Sequence, residues 1–107
     1  MMDLPPFFQP YQQALAALCR VHGVRRLEAF GSVVRDDFDP KSSDIDLVVE
    51  FDPAAPGKQV AQYFGFKSAL EHVLQRPVDL IELQALPDSR LKRLIVRDKV
   101  PVYETAA

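Results

Sequence analysis

The sequence lacks several features by which whole classes of protein are identified. Its one cysteine, Cys19, cannot form a disulfide within the chain. No apolar run approaches the length that spans a membrane, and the amino terminus lacks the basic and then apolar pattern of a signal peptide. We therefore expect a protein of the cytoplasm.

Excess positive charge is also missing. Lys and Arg number 13 against 15 Asp and Glu, which gives a formal net charge of −2, and no stretch gathers the basic residues into a long stripe. Because binding to a phosphate backbone draws its affinity from such charge, we expect no long nucleic acid as a partner. A single nucleotide is compatible, since a magnesium ion and a few basic residues can hold a triphosphate.

The length and composition predict one folded domain over residues 1–107. The chain is long enough for one modest hydrophobic core and too short for two. Hydrophobic residues make up 48% and charged residues 26% of the sequence, which is typical of globular proteins and excludes a mostly disordered chain.

The spacing of apolar residues predicts alternating helices and strands. Helical spacing begins near residue 11, ends at Gly23, and returns over 58–75 and after Ser89, a plausible N-cap. Strands are predicted over 24–30, 44–51, 78–83 and 100–103. Pro101 has no backbone donor, so the last strand should lie at a sheet edge. This pattern indicates an α/β fold of the α+β kind, with helices packed on a small mixed sheet of about four strands.

Two carboxylates lie close together in the second predicted strand. Asp44 and Asp46 are two positions apart, so both point to one face, roughly 6 to 7 Å apart along the chain. Their hard oxygen ligands suit Mg²⁺, and a pair of such ions can hold the attacking and leaving oxygens of a phosphoryl displacement. The alternative is ordinary polar alternation on a solvent-facing strand. Asp is a poor strand former, and like charges on one face repel unless a cation lies between them, which favours the metal site.

A Gly-Ser pair precedes the acidic strand. Gly31 and Ser32 follow the predicted strand 24–30 and open a short helical turn over 33–35. Glycine lets the backbone approach phosphate closely, free amides at a helix start bind anions, and the serine hydroxyl can add a donor. Alone, the pair indicates an ordinary turn. Its significance comes from its position before Asp44 and Asp46.

A third carboxylate, Asp79, lies within the apolar segment Val78-Asp79-Leu80-Ile81. It could cap the end of a strand. If its strand lies beside the one that carries Asp44, it could instead complete a metal site and accept the proton of an attacking hydroxyl. Sequence spacing leaves both possibilities open.

These motifs together resemble the minimal nucleotidyltransferases of the polymerase-β-like superfamily. The resemblance spans about residues 27–81 and rests on Gly31-Ser32, Arg35, Ser43-Asp44-Ile45-Asp46-Leu47 and Pro77-Val78-Asp79-Leu80. Two departures concern the loop: eleven residues separate Ser32 from Asp44 where we expect ten, and Asp36 stands where the family often has glycine. An extra loop residue is tolerable for the chemistry.

The resemblance implies a palm-like fold and a role for each motif residue. Asp44 and Asp46 would coordinate magnesium as a two-ion site, and Asp79 would be the third acidic residue, as metal ligand, general base or both. Gly31 and Ser32 would bind the triphosphate of ATP. Arg35 would neutralise phosphate charge.

The resemblance also implies a partner, because minimal proteins of this family typically work beside a HEPN-domain chain as a toxin and antitoxin pair. The expected reaction is transfer of AMP from ATP to a hydroxyl of the HEPN ribonuclease toxin, on a tyrosine, which silences it. One alternative is an antitoxin that neutralises by binding alone, against which the intact motif residues argue. Another is transfer to a small molecule such as an aminoglycoside, although such enzymes usually carry an extra acceptor-binding domain.

Three further groups of residues have two interpretations each. Arg90, Lys92, Arg93 and Arg97 form a basic stretch that could contact phosphate or an acidic partner, or could be a solvated helix face. Tyr63, Phe64 and Phe66 could belong to the core, or in part face a partner. Glu50 shares the acidic face of its strand but lies about 13 Å from Asp46, which makes it a poor candidate for the site.

Overall fold

The described part of the chain, residues 4–35 and 44–105 of a computed structural model, alternates between helices and strands. The α-helices are α1 (Gln12–Val21), α2 (Gln59–Leu74) and α3 (Arg90–Asp98). The strands are β1 (Val24–Phe30), β2 (Ile45–Phe51), β3 (Val78–Glu82) and β4 (Val100–Glu104). Short 3₁₀ helices cover Pro6–Tyr11, Gly31–Val34 and Leu83–Ala85. None of the helices in these two ranges is long and apolar enough to cross a membrane.

The four strands form one mixed sheet in the order β3-β2-β1-β4. β1 is antiparallel to both β2 and β4, whereas β2 and β3 are parallel. The parallel pair requires a crossover, which contains α2. β4 lies at a sheet edge, as Pro101 predicted. The predicted α+β fold with a mixed four-stranded sheet is confirmed.

One side of the sheet, which we call the helical face, packs against α1 and α2. Alternate strand residues point to this face, as the period of two requires. Its main cluster includes Leu27, Ala29, Ile45, Leu47, Val49, Val78 and Leu80 from the strands, with Leu15, Cys19, Phe66, Leu70 and Leu74 from the helices. Because these residues are almost fully buried, the helical face provides most of the hydrophobic core.

The opposite side, which we call the carboxylate face, is only partly covered. Val48 and Ile95 are buried there but do not belong to the main cluster, so α3 covers one part of this face. Lys99, just after α3, donates to Glu28 of β1 at 2.7 Å, and both side chains are largely buried. A buried charge is tolerated when it is paired, so this contact fixes the end of α3 to the sheet.

Two local features explain irregular parts of the sequence. The β1–β2 register shifts between Val24 and Arg26, which places Arg25 in a bulge. Arg25 then pairs with Asp52 at 3.1 Å, while Arg26 pairs with Glu104 at 3.0 Å. The bulge therefore accounts for two adjacent arginines in a strand.

Candidate active site

One end of the carboxylate face holds two carboxylates on neighbouring strands. Asp46 of β2 and Asp79 of β3 are direct register partners in the parallel ladder. Their neighbours Ile45, Leu47, Val78 and Leu80 all point to the helical face. Asp46 and Asp79 therefore stand side by side on the open face, where like charges repel.

Asp46 responds to this crowding. Its pKa is raised because the carboxylate is partly removed from water, and because the negative charges of Asp79 and Asp44 disfavour its ionised form. The positive charge of Arg35 opposes that rise. Asp44, which immediately precedes β2, is exposed yet acts on Asp46. Asp44, Asp79 and Arg35 therefore all lie close enough to influence the Asp46 carboxylate.

Gly31 packs directly against the Asp46 carboxylate. It follows the end of β1, where Phe30 pairs with Asp46, and it has φ of +75°. A Cβ built on Gly31 would lie 2.3 Å from Oδ2 of Asp46, far inside contact distance. Glycine is required here both by the left-handed backbone and by the close approach.

Ser32 and Arg35 continue from this glycine in a tight turn. Ser32 lies within the 3₁₀ helix Gly31–Val34, and its carbonyl accepts from the Arg35 amide at 3.0 Å. The fold thus brings the Gly-Ser motif to the end of β2 that carries the acidic pair. Ser43 and Asp36, which the sequence motif also includes, lie outside the described residues.

The acidic residues suit a divalent cation by their chemistry. Across residues 4–35 and 44–105, no three side chains of His, Cys, Asp or Glu are placed to share a metal ion as they stand. Asp44 and Asp79 are exposed, however, so packing does not hold their side chains in a single rotamer. Hard carboxylate oxygens and uncompensated negative charge at Asp46 are what Mg²⁺ would satisfy.

Two other polar residues, Glu50 and His22, make contacts outside the acidic centre. Glu50 pairs with Arg25 at 3.3 Å and with Arg26 at 3.9 Å. His22 packs against the ring of Phe66, with centroids 5.6 Å apart. Their side chains therefore serve the structure around the sheet.

The aromatic stretch of α2 divides between core and surface. Phe66 is fully buried, whereas Phe64 is 57% exposed. The Tyr63 hydroxyl donates to the carbonyl of Leu80 in edge strand β3, a contact that the sequence did not predict. Burial, with the negative charges of Asp79 and Glu82, raises the Tyr63 pKa. Tyr63 thus covers part of the β3 edge beside the acidic centre.

Sequence reasoning also missed that the end of α3 lies beside the Gly-Ser turn. A cavity of about 350 Å³ separates the two. It is lined by Phe30, Gly31, Arg35, Leu91, Leu94, Ile95, Arg97 and Asp98. The basic stretch of the sequence included Arg97, but no local pattern linked it to Arg35 or drew attention to Asp98.

Comparisons with known proteins concern the family and the fold. The sequence matches the nucleotidyltransferase domain family over residues 12–102. A solved structure described as a proposed minimal nucleotidyltransferase is 32% identical, with a TM-score of 0.71 over 88% of this chain and 91% of that one. No curated protein of similar sequence was found.

Two more distant structures share the fold. One is a toxin-antitoxin complex with AMP-PNP, 20% identical, with a TM-score of 0.66 over 89% of this chain and 74% of that one. The other is a tri-AMPylated HEPN toxin from Shewanella oneidensis in complex with an MNT antitoxin, 19% identical, with a TM-score of 0.62 over 91% and 72% of the two chains.

Proposed function

The chain belongs to the nucleotidyltransferase domain family, and from that premise we propose that it transfers AMP from ATP to a hydroxyl of a partner protein, using Mg²⁺. The partner is a HEPN-domain toxin, the acceptor is a tyrosine, and the chain is the antitoxin. The complex that contains a tri-AMPylated HEPN toxin supports this assignment by its shared fold.

The observation that carries the proposal is the contact among three motif residues. Asp46 is the register partner of Asp79, and Gly31 packs against the Asp46 carboxylate without room for a side chain. A protein loses stability by placing two carboxylates side by side unless a ligand uses them. A glycine turn beside them gives a phosphate access to backbone amides.

The acidic residues hold the reacting centre. Asp44, Asp46 and Asp79 would bind Mg²⁺, which when bound neutralises phosphate charge and aligns the attacking and leaving oxygens. The acceptor hydroxyl forms a bond to the α-phosphorus of ATP, the bond from that phosphorus to the bridging oxygen breaks, and pyrophosphate leaves. Asp79, which is exposed on the open face, accepts the hydroxyl proton.

The Gly-Ser turn and Arg35 hold the rest of the nucleotide. The Gly31 amide and the Ser32 hydroxyl are donors for phosphate oxygens, and the Arg35 guanidinium offsets their negative charge. Arg35 already acts on Asp46 in the free protein. The same group can therefore serve the carboxylates before nucleotide binds and the phosphates afterwards.

Mass spectrometry of the partner tests the proposal. The protein is incubated with a cognate HEPN-domain toxin, ATP and Mg²⁺, and we expect the toxin to gain one or more AMP groups. Asp46→Asn should abolish the gain. Glu50→Gln is the matched control, because it removes a carboxylate from the same strand and face that pairs with Arg25 and Arg26.

A different outcome would identify the alternative function. If the toxin gains no mass and is inhibited equally by wild type and Asp46→Asn, the chain neutralises by binding alone. If Glu50→Gln loses activity as fully as Asp46→Asn, the carboxylate pair is not the reacting centre.

A further inference from the structure

A cleft between the Gly31–Val34 turn and α3 adjoins the acidic centre through Gly31. We call it the arginine cleft, because Arg35 and Arg97 line both the cavity of about 350 Å³ and a neighbouring one of about 500 Å³. Gly31 borders the first cavity and also contacts Asp46. A nucleotide whose α-phosphate lies at the carboxylates can therefore extend its remaining phosphates into the cleft.

Arg97 already holds an anion in the geometry that suits a phosphate. Its Nε donates to Oδ1 of Asp98 at 2.8 Å and its Nη2 donates to Oδ2 at 3.2 Å. The planar guanidinium fork binds carboxylate and phosphate in the same two-bonded way. The Asp98 side chain thus occupies a position that two phosphate oxygens could take.

The ion pair between Arg97 and Asp98 can be broken at little cost in stability. The side chains are 70% and 41% exposed, and such surface pairs contribute little to stability. Asp98 also ends α3, where the helix dipole disfavours a negative charge. Hydrogen bonding to Arg97 lowers the pKa of Asp98, and the charges of Arg97 and Arg35 add to this effect. The Asp98 carboxylate is therefore held in place mainly by Arg97.

We propose that Arg97 is a second phosphate-binding arginine besides Arg35: its guanidinium releases the Asp98 carboxylate and binds the β- and γ-phosphates of ATP. Asp98 is an internal competitor that occupies Arg97 until the nucleotide arrives. This role rests on the proposed nucleotidyl transfer and extends the site from the Gly-Ser turn to α3. It assigns one member of the basic stretch to phosphate.

Calorimetric titration of the full chain with ATP or AMP, with Mg²⁺ and without acceptor, tests the two residues separately. Arg97→Gln should weaken ATP binding about tenfold, because a charge-assisted bond is lost, and should change AMP binding by about twofold at most. Asp98→Asn should strengthen ATP binding a few fold by removing the competitor. A purely structural ion pair would give the two variants effects of the same sign.

A second ion pair, between Arg93 of α3 and Asp88 just before that helix, provides the matched control. Arg93 and Asp88 are 3.6 Å apart, with side chains 69% and 89% exposed, and neither lines the arginine cleft. Arg93→Gln and Asp88→Asn repeat the charge changes, and each should alter ATP binding by about twofold at most.

The outcomes separate this inference from the proposed function. If Arg97→Gln binds ATP as tightly as Arg93→Gln does while wild type still transfers AMP, the proposed role of Arg97 is wrong. The proposed transferase function is then unaffected. Weaker ATP binding in both Arg97→Gln and Asp98→Asn also overturns the competitor model. If wild type binds no ATP, both proposals are overturned.

Discussion

The two faces of the sheet differ in what they bury. The helical face is apolar and closed by α1 and α2, whereas the carboxylate face carries Glu28, Asp46, Glu50 and Asp79 and is covered only in part by α3. Within β2 the side chains alternate between the two faces: Leu47 belongs to the main cluster, whereas Asp46 and Val48 point to the carboxylate face. The strands can therefore carry repelling charges on one side because the other side holds the fold together.

Because the two faces differ in this way, the strand register determines both the stability of the fold and the arrangement of the candidate site. A slip of one residue in β2 would move Asp46 into the core and Leu47 to the open face. Stability and chemistry thus depend on the same pairing but on different side chains. Substitutions can therefore change stability and chemistry separately. The expected effects on stability decrease from the helical face to the carboxylate face.

The largest effect is expected in the core of the helical face. Phe66→Ala should lower the free energy of unfolding by about 3–5 kcal/mol, because it leaves a cavity where a fully buried ring packed. Phe64→Ala is the matched control on the same helix, and its exposed ring should cost less than about 1 kcal/mol. Urea denaturation measures both. Equal losses would show that α2 does not divide between core and surface as described.

An intermediate effect is expected where the backbone meets the carboxylate. Gly31→Ala places a Cβ 2.3 Å from Oδ2 of Asp46, in addition to about 1–2 kcal/mol of backbone strain at φ of +75°. Gly57→Ala meets the same strain at φ of +81°, but with nothing within 4 Å. We therefore expect Gly31→Ala to lose both AMP transfer and more stability in thermal unfolding. Gly57→Ala should keep wild-type transfer.

Equal losses of stability in these two glycine variants would contradict the contact. Retained transfer in Gly31→Ala would show that the close approach of Gly31 to Asp46 is not needed for the reaction. A difference in transfer without a difference in stability would place the effect in nucleotide binding.

The elements of the fold were largely predictable because each carries a local signal. Periodicity predicted a strand over 44–51 and β2 covers Ile45–Phe51, while Ser89 caps α3 by accepting from the Lys92 amide. The adjacency of β2 and β3, and the register of Asp46 with Asp79, could not be derived from spacing. Strand pairing is a long-range property, and α2 with its flanking loops separates the two strands.

The sequence proposed the residues of the candidate site but not their arrangement. The family motifs drew attention to Gly31, Ser32 and the acidic residues, whereas the contact between Gly31 and Asp46 is visible only in the structure. The approach of α3 to Arg35 has no local signal at all, since it depends on how the helix lies across the sheet. The sequence alone therefore says least about residues that a distant helix brings close to the site.

The smallest effect is expected from relieving the charge at Asp46, and it has the opposite sign. Because the pKa of Asp46 is raised above its ordinary 3.8, ionisation destabilises the fold at neutral pH. Asp46→Asn should therefore raise Tm at pH 7 without Mg²⁺, by a few degrees at most. This increase in Tm should shrink as the pH falls through the raised pKa of Asp46. It should vanish below about pH 3.8, where the carboxyl is protonated in both the folded and the unfolded protein.

Magnesium should cancel the difference in Tm between Asp46→Asn and wild type, because its positive charge offsets the repulsion between the carboxylates. Added Mg²⁺ should raise the Tm of wild type and leave Asp46→Asn nearly unchanged. Glu50→Gln is again the control, since it breaks ion pairs with Arg25 and Arg26 and should lose rather than gain stability at pH 7. If Asp46→Asn is less stable than wild type in the absence of metal, Asp46 and Asp79 do not repel each other. The proposed cation site on the carboxylate face would then be wrong.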